Sequence, residues 1–140
     1  MNLSIRNRLA GTVTAVTTGE AMASVGVRLE SGPQLTAAVT ADAVRDLGLT
    51  VGSAVHVLAK STEVALATGP VDGLSIRNRL PGTVTRLTAG EAMTGVTVDV
   101  GGGHLTAVVT NEAVADLGLA PGTAVTALVK ATELSLATTG

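Results

Sequence analysis

"LSIRNRLAGTVTAVT" occupies residues 3–17, and residues 74–88 read "LSIRNRLPGTVTRLT". Inside these stretches "GTVTAVT" and "GTVTRLT" alternate threonine with valine or leucine, the period-two pattern of a half-buried strand. The heptapeptide "LSIRNRL" is repeated letter for letter. The fold is therefore read as β-built, and as built twice.

Working outward, the two copies align with an offset of 71 residues as far as Glu30 and of 70 residues after Pro33. The single slip falls where "ESGPQL" faces "GGGHL", a turn-like stretch in which a hairpin loses a residue at little cost. Between the copies lies "TGPVDG" (residues 68–73), rich in residues that punctuate elements. The expected division is a first lobe over residues 1–69 and a second over 70–140. Each copy continues with strand-like stretches, "SVGVRLE", "QLTAAVT", "AVHVLAK" and "EVALAT" in the first. One short helix interrupts, "TADAVRDLGL" or "TNEAVADLGL". Thr40 and Thr110 suit its N-cap, Asp42 and Glu112 its first turn, and Gly48 and Gly118 its end. Five or six short strands with one helix per copy predict an all-β chain of two tandem OB-like Greek-key barrels. A small sandwich satisfies the same pattern.

Composition adds a constraint. The chain of 140 residues has no Phe, Tyr, Trp or Cys. A lobe of about 70 residues supplies only about 3–5 kcal/mol from its own core. Here it has neither aromatic burial nor a disulfide to help. Burial against another lobe or another chain is the remaining route to stability, so self-association is expected. No apolar run approaches the roughly 18 residues that would cross a bilayer. The opening "MNLSIRNRLAG" shows no long apolar leader segment, so a soluble cytoplasmic protein is expected. A net charge of −2 argues against general attraction to nucleic acid or anionic membrane.

The cations are placed selectively. The two lysines, Lys60 and Lys130, are one position duplicated, and four of the seven arginines (Arg6, Arg8, Arg77 and Arg79) come from the repeated heptapeptide. If "LSIRNRL" is extended, Ser4, Arg6 and Arg8 share one face. Lys60 ends a strand and is followed by Ser61 and Thr62. An arginine fork, a mobile ammonium and rotatable hydroxyls together make a donor-rich site for a tetrahedral oxyanion. A solvated strand face, with a lysine guarding an edge, accounts for the same residues.

Read in order, "LSIRNRLAGTV" resembles the Ser-Ala-Arg-Asn opening of the molbindins, small cytoplasmic molybdate-binding proteins. The "DLGL" stretch and "KSTEV" or "KATEL" follow as in that family, in both copies, so the resemblance covers residues 2–68 and 73–138. It implies a tandem molbindin, forming a trimer of two-lobed chains, that binds molybdate or tungstate without catalysis. It also implies an interfacial site with Ser4 and Arg6 from one lobe and Thr40, Lys60 and Ser61 from a neighbouring lobe. The second set is Ser75, Arg77, Thr110, Lys130 and Ala131. Asn7 and Asn78, the motif's Asn, are assigned to holding the turn before Gly11 and Gly82. Two departures stand out. Ile5 and Ile76 replace the family's Ala with a bulkier β-branched group, and Ala131 lacks the hydroxyl of Ser61. The resemblance also implies further sites near the threefold axis, built largely from backbone rather than from side chains.

Other function classes fare worse. Single-strand nucleic-acid binding needs aromatic platforms for bases, and none exist. A sensor acting on a partner protein, or a general oxyanion binder, stays open as an alternative; the sequence has no helix-turn-helix region and no phosphate-loop motif of its own. Catalysis has little support, because His56 and His104 fall at different positions of the two copies and no nucleophile, base and orienter group together. Glu63 and Glu133 recur beside the lysines and are expected to orient them.

Overall fold

The computed structural model describes residues 2–138. The first repeat runs β1 (Asn7–Thr18), β2 (Met22–Leu29), β3 (Gln34–Thr40), α1 (Ala41–Leu47), β4 (Ala54–Ala59), a 3₁₀ turn (Ser61–Glu63) and β5 (Ala65–Ala67). The second runs β6 (Asn78–Ala89), β7 (Met93–Asp99), β8 (His104–Thr110), α2 (Asn111–Leu117), β9 (Ala124–Val129), a 3₁₀ turn (Ala131–Glu133) and β10 (Leu134–Thr138).

These strands form two five-stranded sheets, ordered β10-β4-β1-β2-β3 and β5-β9-β6-β7-β8, with every pairing antiparallel. The outer strands of each sheet meet, β3 against β10 and β8 against β5, so each sheet closes into a small OB-like barrel. The repeats exchange their last strands. Leu134 of β10 pairs with Ala59 of β4, and Ala65 of β5 pairs with Leu128 of β9. Each barrel thus takes four strands from one repeat and the fifth from the other.

Local chemistry explains the elements. Thr40 and Thr110 cap their helices, each hydroxyl accepting from the backbone N–H three residues on (Ala43 and Ala113) at 3.1 Å. Gly48 and Gly118 end the helices in the left-handed region, at φ of 61° and 62°. β1 bends at a bulge between Val13 and Ala15, and β6 bends likewise between Val84 and Arg86. Such bulges add the local twist that lets a long strand turn a barrel corner. At Gly11 the neighbouring strand comes so close that a Cβ would lie 2.7 Å from the Arg28 carbonyl oxygen.

The heptapeptide is not extended throughout. β1 begins at Asn7, and the chain bends at Ser4. The reason lies in the partner strand, because the β1–β4 ladder ends at the pair Asn7–Ala59. Beyond Ala59 the partner turns away into Lys60 and the 3₁₀ turn, leaving residues 3–6 nothing to pair with.

The core is aliphatic and continuous across both repeats. Val13, Val25, Val27, Val55 and Val57 join Val84, Val96, Val98, Val125 and Ala127 in one buried cluster. β-branched valine suits a pleated surface and fills it with little loss of rotamer freedom. The burial that a lone 70-residue lobe lacks is supplied here by its neighbour. Among the described residues no helix is long and apolar enough to cross a membrane.

Candidate functional site

The register that pairs Asn7 with Ala59 sets the segment before β1 beside the segment after β4. There Ser4, Ile5, Arg6, Lys60, Ser61 and Thr62 line a cleft of about 280 Å³. Lys60 is still extended, with φ −69° and ψ 140°, and its carbonyl accepts the Glu63 N–H at 2.9 Å to close the 3₁₀ turn. The turn thereby stops the strand at the lysine and holds Ser61 next to it. Lys130 repeats this geometry, with φ −65°, ψ 142° and the Glu133 N–H at 2.9 Å.

Ser4, Arg6, Lys60 and Ser61 therefore meet within one repeat of one chain. Thr40 is not among the residues lining this cleft; its hydroxyl oxygen accepts from Ala43 as the helix cap. Its strand, β3, runs against the other repeat's 3₁₀ turn at Ala131–Glu133, and β8, which ends in Thr110, runs against Ser61–Glu63. In the second repeat Ser75 and Arg77 are exposed ahead of β6, while Lys130 is exposed and Ala131 half-buried after β9.

The two arginines of the heptapeptide behave differently. Arg8 folds back on its own segment, donating from Nε to the Ile5 carbonyl at 3.3 Å and from Nη2 to the Leu3 carbonyl at 3.1 Å. Arg79 does the same to Ile76 and Leu74, at 3.0 and 2.8 Å. Arg6 and Arg77 make no such bonds among the described residues. Among the described residues the sole ion pair joins Arg45 to Asp42. Arg6, Lys60, Arg77 and Lys130 thus carry no carboxylate partner among the described residues, where Glu63 and Glu133 form no ion pair with the lysines they were expected to orient. Unpaired cations beside hydroxyls can accept a dianion through charge-assisted hydrogen bonds. No cluster of His, Cys, Asp and Glu suited to a metal cation occurs among the described residues.

Asn7 and Asn78 differ from expectation. They are 3% and 2% exposed, and they bind the opposite repeat rather than a turn of their own. Asn7 pairs with the backbone of Thr106, and Asn78 with that of Thr36. Thr36 and Thr106 lie on outer strands, whose unpaired N–H and C=O groups need such partners. The signal was present in the alternation, because Asn7, Leu9, Gly11 and Val13 fall on one face of a strand. Thr62, one of the hydroxyls read beside Lys60, lines the cleft as well, and Ile5 is a further cleft residue that residue type alone did not suggest.

Comparison with known proteins gives a consistent picture. The TOBE domain model matches residues 3–66 and 74–136. Molybdenum-pterin-binding protein MopA of Rhodobacter capsulatus is 42% identical over 98% of the chain and 52% of its own length. Molybdenum transport protein ModE of Azotobacter vinelandii is 36% identical over 100% of the chain and 52% of its own length. The chain thus spans about half the length of these curated relatives. A crystal structure of the cytoplasmic molybdate-binding protein ModG with molybdate bound superposes with a TM-score of 0.94, at 39% identity and 99% coverage of both chains.

Proposed function

The chain belongs to the TOBE-domain family, carrying that domain twice, and on this premise we propose that it binds and stores molybdate or tungstate in the cytoplasm without catalysis. The observation that carries this reading is the cleft in which Ser4, Arg6, Lys60 and Ser61 gather without an internal counter-charge. The likeness to ModG, whose structure holds molybdate, supports it along the whole length of both chains. On this reading Ser4, Arg6, Lys60 and Ser61 grip the oxyanion, with Thr40 closing in from a neighbouring lobe. Ser75, Arg77, Thr110, Lys130 and Ala131 form the second set. The assembly is a homotrimer whose seams complete the sites, and neither nucleic acid nor membrane is a partner. A ligand that bridges chains stabilises their assembly by mass action.

Calorimetric titration with molybdate, tungstate, sulfate and phosphate tests the reading. Heat with the first two and little with phosphate is expected, because a site made of donors has no acceptor for a protonated oxyanion. No heat with any of the four ends it, and equal affinity for sulfate reduces it to general oxyanion binding.

A second reading is favoured by one observation, the match to about half of ModE. Here the chain is a ligand-sensing module acting on a partner protein. A pull-down with and without molybdate tests this; a partner retained in only one condition supports it, and none in either rejects it.

A further inference from the structure

We propose that Arg8 and Arg79 are positioning residues of the oxyanion sites, turning the backbone N–H groups of Ser4 and Arg6, and of Ser75 and Arg77, toward the ligand. This deepens the molybdate-binding reading and rests on it.

The argument begins with two carbonyls. Arg8 holds the oxygens of Leu3 and Ile5, the residues on either side of Ser4. Every described peptide bond is trans. In a trans peptide the C=O of one residue and the N–H of the next point in opposite directions. Fixing the Leu3 and Ile5 oxygens on the guanidinium therefore fixes the Ser4 and Arg6 N–H groups on the other side. Neither N–H finds an acceptor among the described residues.

The two sides are chemically distinct. Ser4 and Arg6 line the cleft with Lys60, whereas Arg8 lies in a different hollow with Glu30, Ser31 and His104. The clamp thus removes two acceptor oxygens from the neighbourhood of an anion and presents two donors instead. Arg79 repeats the arrangement on Leu74 and Ile76. A guanidinium is suited to this because its donors are spaced in a rigid fork, and a lysine ammonium offers no equivalent bridge.

The test is Arg8→Lys in the full chain, which keeps the charge and removes the fork. Molybdate calorimetry should show half the sites weakened about tenfold, roughly the loss of one hydrogen bond to a charged group. The other half should be unchanged, and Arg79→Lys should weaken the complementary half. The thermal midpoint without ligand should stay within a few degrees of wild type. In ¹⁵N-resolved NMR the Ser4 and Arg6 amides should shift on molybdate addition in wild type and far less in Arg8→Lys. Wild-type affinity in both lysine variants overturns the proposal while leaving molybdate binding intact. So does an affinity loss that tracks a fall in thermal midpoint with the amide shifts preserved. A wild-type chain that gives no heat overturns the binding reading itself, and this inference with it.

Discussion

Asn7 clasps Thr106 across the boundary between the repeats, its Nδ2 donating to the Thr106 carbonyl at 2.9 Å and its Oδ1 accepting the Thr106 N–H at 2.8 Å. Asn78 does the same to Thr36, with both bonds at 2.8 Å. A side-chain amide here imitates a neighbouring strand, satisfying one residue of each outer strand where the sheet's own hydrogen-bonded ladder ends.

Asn7→Ala should therefore destabilise the protein well beyond the loss of a small side chain. It leaves the part-buried N–H and C=O of Thr106 without partners, at up to about 1–3 kcal/mol for each group. Urea unfolding should show the midpoint falling, with Asn7→Asp no milder at neutral pH, because it keeps the acceptor but sets a buried carboxylate against the Thr106 carbonyl.

Arg6→Ala and Lys60→Ala should separate binding from folding. Both side chains are exposed and neither forms an ion pair among the described residues, so unfolding free energy should move by no more than about 0.5 kcal/mol. Molybdate affinity should fall about tenfold or more for each, the scale of a charge-assisted hydrogen bond. Calorimetry and urea unfolding on the same preparations check both halves of this expectation.

Ala131→Ser should strengthen the second set of sites. Ala131 occupies the place that Ser61 holds in the first repeat, at the head of the 3₁₀ turn. Restoring a hydroxyl donor contributes about 1 kcal/mol, or roughly a fivefold gain in affinity. Ser61→Ala should lower the first set by a similar factor, and the two titration curves should converge.

Gly11→Ala should cost stability through a backbone clash. The added methyl would meet both the Arg28 carbonyl and the Val27 side chain at 2.7 Å. Overpacking of this kind typically costs about 1–3 kcal/mol. Thermal unfolding should show the loss, and Gly19→Ala, facing only one contact at 3.1 Å, should show less.

What the sequence displays is what depends on neighbours in the chain. Period two reveals β1–β4 and β6–β9, and Thr40, Gly48 and their duplicates mark the helices, because caps and alternation are local. The bend at Ser4 was hidden, since it depends on where β4 stops pairing. The resemblance joined Lys60 and Ser4 in one site but from neighbouring lobes; their approach within a single repeat was hidden, since it follows from the Asn7–Ala59 register. The exchange of β5 and β10 was hidden for a different reason. "EVALAT" and "ELSLAT" are nearly the same strand, so their residue pattern does not distinguish the sheet each one joins. Asn7 was legible in part, because its alternation with Leu9 points it inward, but its partner Thr106 lies 99 residues away.

The crossed arrangement of β5 and β10 has a bearing on dilution. Two half-length chains severed at the linker would each keep a last strand, but to preserve this crossed pairing they would have to exchange it with a second molecule. Tethered, the exchanged strand is always at hand, at an effective concentration on the order of millimolar for a short flexible tether. Fusion thus turns a handshake between strangers into a fastening that persists however scarce the protein becomes.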